Sequence, residues 1–314
     1  MPVVLFSGNP EKRADYEPAL LAAAQETGQS ITLHMSPELV QASEVDYLIF
    51  DGDGPVREFA PFTRLKAVLN LWAGVEAVLR CAPPETLPVV RMVEPGLTEG
   101  MRDYVIGHVL RHHLDIDRYI GSTPIAEWEA TFPPLARNRT VGVLGLGVLG
   151  ADCASHLARH GFRTLGWARS PKEIEGVTCL DGAEGLERVI AESEILVLLL
   201  PHTPETRRLL NTERIARMPK GACLVNAGRG ALIDHDAILV ALEAGHIHHA
   251  TMDVFDVEPL PPEHPYWRHP RVTVTPHIAS VTRPETASLA IMAQIKRGEQ
   301  GLGFQNTVDR RRAY

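Results

Sequence analysis

The stretch Val141-Gly142-Val143-Leu144-Gly145-Leu146-Gly147-Val148-Leu149-Gly150 decides the fold of this chain, because an apolar run passes directly into three glycines spaced G-x-G-x-x-G. Val141 to Leu144 reads as a fully buried strand, and Asp152 to His160 as the helix that follows. In that setting Gly145 permits the tight turn, Gly147 lets a pyrophosphate approach the backbone, and Gly150 lets helix and strand pack closely. The anion would then meet the helix N-terminus, where unpaired N–H groups and the helix dipole favour it. Glycine spacing alone is weak evidence, since small residues also gather at ordinary strand-to-helix turns. The flanking strand and helix make this stretch read as a dinucleotide site.

The next strand, Phe162 to Trp167, bears on which dinucleotide it would be. An NAD site usually carries an Asp or Glu about 20 residues beyond the glycines, to accept from the ribose 2′-hydroxyl. None stands at the end of this strand. Ala168-Arg169-Ser170-Pro171-Lys172 offers instead two cations and a hydroxyl where a 2′-phosphate would sit. An arginine can hold that dianion with a forked pair of charge-assisted bonds. A solvated basic turn has the same composition, but with the acid missing NADP is favoured over NAD, which stays possible.

The 314 residues, 45% hydrophobic and 22% charged, describe a globular chain long enough for two domains with separate cores. A net charge of −8 and a pI near 6.0 disfavour nucleic acid or an anionic membrane surface as the main partner, so any anionic ligand must be attracted locally. Cys81, Cys153, Cys179 and Cys223 show no C-x-x-C or paired spacing, which suits reduced thiols in a cytoplasm rather than a disulfide frame or zinc site. No apolar run approaches the roughly 20 residues of a membrane span. The opening Met1-Pro2-Val3-Val4-Leu5-Phe6-Ser7-Gly8 is too short for a signal h-region and reads as a first strand.

Up to about residue 95 the chain alternates strand-like segments (Val3 to Phe6, Ile31 to His34, Tyr47 to Phe50, Ala67 to Leu71, Val89 to Met92) with helical patterns such as Pro18 to Gln25. That is a parallel α/β unit of its own. Met101 to Ile120 reads as one long helix, and Gly121 to Arg139 as a connection rich in proline, with Pro124, Pro133 and Pro134. The glycine fingerprint opens a second α/β unit. Its later strands would be Ile195 to Leu200, Ala222 to Asn226, Ala250 to Val254 and Val272 to Thr275, with helices such as Asp234 to Ala244 between them. A last helix, Pro284 to Arg297, precedes a polar tail that could return to the first unit.

Ligands of open α/β sheets bind outside the carboxyl ends of the strands, so residues there carry the chemical signal. Arg229 stands between two glycines in Asn226-Ala227-Gly228-Arg229-Gly230, where either a ligand or solvent could face it. His277 follows a strand and a proline in Thr275-Pro276-His277-Ile278-Ala279-Ser280, where it could equally be a satisfied core histidine. Between them, Glu258 sits in the irregular, proline-bounded run Asp253-Val254-Phe255-Asp256-Val257-Glu258-Pro259. Near one nicotinamide the three make a coherent set. Hydride addition to a ketone needs a proton donor for the new alkoxide, which His277 can be. A carboxylate beside the ring favours its imidazolium form by direct charge attraction, as Glu258 would. Arg229 can bind a substrate carboxylate and polarise the carbonyl.

The glycine fingerprint, Leu200-Pro201-His202-Thr203-Pro204-Glu205-Thr206, Asn226 to Gly230, Met252 to Pro259 and Pro276 to Ser280 occur in the order and spacing of the D-isomer-specific 2-hydroxyacid dehydrogenases, which the whole chain resembles. Leu71-Trp72-Ala73-Gly74-Val75-Glu76, Met101 to Val105, Trp167 to Lys172 and Asn306-Thr307-Val308-Asp309 look most like that family's bacterial glyoxylate/hydroxypyruvate reductase A group. The resemblance implies that Arg229, Glu258 and His277 are the catalytic arginine, glutamate and histidine. It implies that Trp72-Ala73-Gly74, with Arg229 and His277, hold the substrate, and that Asp253 lies near the nicotinamide amide. Gly145, Leu146, Gly147, Val148, Leu149, Gly150, Trp167, Arg169, Ser170, Lys172, Leu200, Pro201, Thr206, Ala227, Gly228, Arg229, His277 and Ala279 fall at cofactor-cleft positions.

The implied architecture is a Rossmann NAD(P)-binding domain, residues 99–281, inserted in a discontinuous flavodoxin-like substrate domain, residues 1–98 plus 282–314, with a homodimer built on the nucleotide domain. The implied activity is reduction of small 2-oxoacids such as glyoxylate and hydroxypyruvate. A dinucleotide-sensing binding protein or corepressor of the same fold is the alternative.

One departure stands out. Phe50-Asp51-Gly52-Asp53-Gly54-Pro55 puts two acids where related reductases carry less acidic residues over the substrate pocket. Lining the pocket it would repel anionic substrate tails; pointing to solvent, the more expected arrangement, it is a turn. His246-Ile247-His248-His249 has the look of a metal tract but lacks partners at ligand spacing and reads as a connection, with no metal expected. His112 and His113 cannot share one helix face and read as interface or surface residues.

Overall fold

The chain divides into two compact units, Met1–Leu97 with Val281–Tyr314, and Thr98–Ser280. The computed structural model describes residues 1–122, 128 and 130–310; Pro124 of the proline-rich connection and residues 311–314 of the tail lie outside them.

The first unit is built from β1 (Val3–Ser7), α1 (Arg13–Glu26), β2 (Thr32–His34), β3 (Tyr47–Phe50), β4 (Ala67–Asn70), α2 (Glu76–Arg80) and β5 (Val89–Val90). All strand pairs are parallel, in the order β2-β1-β3-β4-β5, which is the flavodoxin-like order. Every residue of β3 and β4 is buried, as the unbroken apolar runs of a sheet covered on both faces require. α1 starts five residues before Pro18 and runs through it. The buried Tyr16 and Leu20 hold the helix on either side of the missing N–H, so packing outweighs the local break.

The second unit contains most of α3 (Pro95–His113), then α4 (Ile116–Ser122), β6 (Thr140–Leu144), α5 (Val148–Arg159), β7 (Arg163–Trp167), β8 (Val177–Leu180), α6 (Gly182–Glu192), β9 (Ile195–Leu198), α7 (Thr212–Arg217), β10 (Ala222–Asn226), α8 (His235–Glu243), β11 (Ile247–Met252) and β12 (Val272–Val274). Its strands are all parallel, in the order β12-β11-β10-β9-β6-β7-β8. The chain thus winds outward one way from β6 to β8 and the other way from β9 to β12. Between β6 and β9 the order reverses, which opens a crevice at their carboxyl ends. Finally α9 (Pro284–Glu299) returns to the first unit, where Gln29 Nε2 donates to Met292 O at 2.8 Å and the Val308 amide donates to Val89 O at 2.8 Å. The fold is α/β with two parallel sheets.

Three sequence expectations are corrected. Met101 to Ile120 is two helices: α3 begins at Pro95, where the Glu94 carboxylate accepts from the amides of Gly96 and Leu97, and ends before Asp115. Asp115 takes a left-handed φ of 52°, and its carboxylate accepts from His248 Nε2 at 2.9 Å. His112 and His113 are buried, not surface residues. The histidine tract is not a connection either, since Ile247, His248 and His249 belong to β11 and His249 is buried. A histidine can enter a core when a ring nitrogen finds a hydroxyl partner: His112 Nε2 meets Thr251 Oγ1 at 2.9 Å and His249 Nε2 meets Thr273 Oγ1 at 3.0 Å. β8, α6 and α7, which no sequence pattern named above announces, are short or half-exposed.

Candidate active site

In the second unit the turn after β6 needs all three glycines, each for a different reason. Gly145 has φ 108°, and a Cβ there would lie 2.6 Å from Leu199 O. A Cβ on Gly150 would lie 1.7 Å from Gly145 O, so only glycine lets α5 close on the turn. Around Gly147 nothing stands within 4 Å of a Cβ, which leaves the backbone open to a ligand. Gly147 is also the N-cap of α5 and has no side chain to satisfy the helix's first amides. An open glycine over uncapped N–H groups fits a diphosphate.

The other strand ends carry the remaining residues. β7 ends at the buried Trp167, whose indole N–H donates to Gly182 O at 2.8 Å, and Arg169, Ser170 and Lys172 follow as exposed side chains. After β9, Thr206 Oγ1 donates to Pro201 O at 2.7 Å and accepts from the Thr203 amide, which closes the Leu200–Thr206 loop on itself. There a bond from the Thr203 hydroxyl, with help from the charge of Arg169, holds the exposed Glu205 carboxyl below the usual range.

Arg229 owes its direction to Asn226, the last residue of β10 and fully buried. Asn226 Nδ2 donates to Arg229 O at 3.0 Å, and its Oδ1 accepts from the Gly228 amide at 3.2 Å. A Cβ on Gly230 would lie 2.1 Å from Phe255 C, which only glycine avoids, and one on Gly228 would crowd the backbone at 3.0 Å from Leu200 O. The guanidinium, half-buried, is braced by a 2.6 Å bond from Nη1 to Gly228 O.

His277 follows β12 with φ 55°, and its amide bonds to Asp253 O at 2.9 Å. Its Nδ1 lies 2.7 Å from Glu258 Oε2, while Glu258 Oε1 accepts from the Phe255 amide at 2.8 Å. Partial burial pushes the Glu258 carboxyl up, but the bonds from His277 and Phe255 and the charges of His277 and Arg229 together outweigh it and hold it below the usual carboxylate range. Asp253, fully buried, accepts from the amides of Ile278 and Ala279, both at 2.9 Å. The structure therefore brings Arg229, Glu258 and His277 into one electrostatic neighbourhood.

Residues 106–279 match the family model for the NAD-binding domain of the D-isomer specific 2-hydroxyacid dehydrogenases. The chain belongs to that family. It is 42% identical, over 252 residues covering 78% of this chain and 80% of the relative, to a glyoxylate/hydroxypyruvate reductase A of Serratia proteamaculans. A D-isomer specific 2-hydroxyacid dehydrogenase of Xanthobacter autotrophicus, solved with NADPH and MES, is 41% identical with a TM-score of 0.93 over 100% of this chain and 99% of that one. An NADPH-dependent glyoxylate/hydroxypyruvate reductase of Sinorhizobium meliloti, solved with NADP and sulfate, is 33% identical with a TM-score of 0.88 over the whole of both chains.

In the first unit of this dehydrogenase, Trp72-Ala73-Gly74 forms the turn after β4. Asn70 Nδ2 donates to Trp72 O at 2.6 Å and to Gly74 O at 2.8 Å. In a trans peptide the N–H points opposite to the preceding C=O, so drawing both carbonyls inward turns the amides of Ala73 and Val75 outward. Asn70, like Asn226, was missed in the sequence. Its signal was legible, as a buried amide closing an otherwise apolar strand shapes the turn after it.

In the acidic loop of this dehydrogenase Asp51 does not point to solvent as expected. Asp51 is fully buried, and its Oδ2 accepts from Lys12 Nζ at 2.7 Å. Lys12 Nζ also lies 5.6 Å from the centre of the Trp72 ring, and a Cβ on Gly52 would lie 2.5 Å from that ring. Asp51 and Gly52 thus support Trp72, and the charge that seemed out of place is matched by Lys12. Asp53 remains exposed. Among the described residues no group of three or more His, Cys, Asp or Glu side chains could hold a metal ion.

Proposed function

We propose that this chain is an NADPH-dependent reductase of small 2-oxoacids such as glyoxylate and hydroxypyruvate. The observation that carries the reading is the 2.7 Å contact of His277 Nδ1 with Glu258 Oε2, in the same unit as the open glycine turn. Because Nδ1 is committed to the carboxylate, Nε2 is the atom that delivers the proton. Arg229 draws electron density toward the carbonyl oxygen, and in the first unit the outward amides of Ala73 and Val75 offer donors to a carboxylate. A reduced nicotinamide held at the glycine turn would supply the hydride for C2 of the 2-oxoacid; this chain's own part is the proton, which His277 Nε2 gives to the carbonyl oxygen as its π pair becomes the new alkoxide. Glu258, its carboxyl held below the usual range, faces the ring as a carboxylate and fixes its orientation before the transfer.

On this reading residues 99–281 form the dinucleotide-binding domain and residues 1–98 with 282–314 the substrate domain. Gly145 to Gly150 hold the diphosphate, and Arg169, Ser170 and Lys172 the 2′-phosphate. Trp167, Leu200, Pro201, Thr206, Ala227, Gly228 and Ala279 line the cleft, with Asp253 near the nicotinamide amide. We read the molecule as a homodimer, which the exposed Ile120, Trp128, Phe132 and Leu135 support, and as cytoplasmic, which four free cysteines support. No helix among the described residues is long and apolar enough to cross a membrane.

Following NADPH absorbance against a panel of 2-oxoacids tests the activity. Turnover of glyoxylate or hydroxypyruvate is expected. Tight NADPH binding without turnover of any 2-oxoacid would overturn the proposal in favour of a dinucleotide-sensing protein, a reading disfavoured by the intact acid–base pair and by the reductase names of the relatives. Light scattering coupled to size exclusion tests the dimer.

A further inference from the structure

Thr275 Oγ1 donates to Asp253 Oδ1 at 2.6 Å and lies 2.7 Å from the Tyr104 hydroxyl. Thr275 has one proton and gives it to the carboxylate, so Tyr104 is the donor in the second bond. Burial pushes the Tyr104 hydroxyl up, which keeps that proton in place. The chain Tyr104 to Thr275 to Asp253 is therefore oriented, and it ends on a buried carboxylate whose two oxygens also hold the amides of Ile278 and Ala279.

Those amides follow His277 directly. A non-glycine residue in the left-handed region is uncommon and must be held there by its surroundings; His277 has φ 55°. Here Asp253 grips the loop on both sides, through its carbonyl on the His277 amide and its carboxylate on the next two. From the other side α3 packs against the loop, because a Cβ on Gly100 would lie 3.7 Å from Ser280 Cα, and one helical turn along α3 comes Tyr104.

We propose that Tyr104 and Thr275 are positioning residues for proton delivery: through Asp253 they hold His277 in the left-handed conformation that aims Nδ1 at Glu258. The inference rests on the reading of His277 as the proton donor. The charged and titratable groups around this chain are Glu258 and Arg229 at the acid–base pair and His108 and Arg111 beside Tyr104 on α3. Asp253 is bonded both to Thr275 and to the amides of His277, Ile278 and Ala279.

The test compares Thr275→Val, Thr275→Ser and Tyr104→Phe with the native enzyme. Valine removes the hydroxyl at nearly constant shape; it should lower kcat for 2-oxoacid reduction by roughly tenfold to a hundredfold, the scale of a misaimed catalytic group. The alkaline limb of the pH profile should move toward acid as the ring loses its carboxylate. Thr275→Ser should restore both, and Tyr104→Phe should show the same shift in smaller measure. The Kd for NADPH should stay within about threefold. In a Glu258→Gln background Thr275→Val should move the pH limb no further, since the contact it protects is already gone.

The imidazole resonances of His277, assigned by their loss in His277→Ala, should shift in Thr275→Val without any substrate present. Unchanged resonances and pH profile in a folded Thr275→Val protein would overturn the inference, as would a loss confined to NADPH affinity. A His277→Ala enzyme of normal rate would instead overturn the proton-donor reading itself.

Discussion

His277 and Glu258 share a 2.7 Å contact between Nδ1 and Oε2, made from loops that follow two neighbouring parallel strands, β12 and β11. The Glu258 carboxyl is held below the usual range. A group depressed in this way is ionised above its ordinary value and stays so as pH falls, so the pair remains a carboxylate facing the ring across the neutral range. Glu258→Gln should lower the rate of reduction at neutral pH and regain part of it on acidification, while oxidation of the 2-hydroxyacid extends to lower pH. Profiles of kcat/KM against pH in both directions check this. Curves that merely scale, without moving, would mean that Glu258 orients the ring and does not charge it. The limbs are properties of the coupled pair.

His277→Ala should keep NADPH affinity and folding but lower kcat for the best 2-oxoacid by roughly 10² to 10⁴. Steady-state rates with a binding titration measure it. A fall below tenfold would hand the proton to another group or to water.

Arg169→Ala should weaken NADPH by roughly tenfold to a hundredfold, the worth of a lost charge-assisted pair, and leave NADH nearly unchanged. Titrating both cofactors into both proteins decides it. Equal weakening of the two contradicts the 2′-phosphate assignment of the turn after Trp167.

Asn70→Ala removes both bonds that turn the carbonyls of Trp72 and Gly74 inward. The amides of Ala73 and Val75 then lose their fixed direction. KM for 2-oxoacids should rise at least severalfold while the Kd for NADPH stays put. An unchanged KM would remove the Trp72 turn from the substrate site.

His112 and His249 predict how stability depends on pH. Burial lowers His112 well below 6.5, with His249, His108, Arg111 and His248 adding to it; burial lowers His249 to about 4, against the opposing pull of Asp117. Both rings are neutral in the fold, and in the unfolded chain they take up protons below about 6.5. Their contribution to stability is therefore fully present above pH 6.5 and is lost as pH falls toward 4. Tm should decline across that window, and His249→Gln should flatten the decline even if it lowers Tm overall. An equal slope in the variant would place the titration elsewhere.

What the sequence by itself determined was whatever depends on local chemistry. The strand-turn-helix around Gly145, Gly147 and Gly150 is legible because Gly145 and Gly150 answer steric demands made within a few residues or by the adjoining strand, while Gly147 leaves the backbone open for a ligand. Arg229, Glu258 and His277 were legible because they stand at predicted strand ends, where a parallel sheet delivers its ligand-facing residues. The tertiary structure decided what depends on partners distant in the chain. Asp51 looked like a solvent turn until Lys12, 39 residues earlier, was found against it. His112 and His249 are polar and read as lying outside the core, yet both are buried, with Nε2 of each meeting a hydroxyl, on β11 and β12 respectively. The chain from Tyr104 through Thr275 to Asp253 spans 171 residues, and no periodicity records it, because a buried hydrogen bond is specified by the meeting of two side chains and not by the spacing of either.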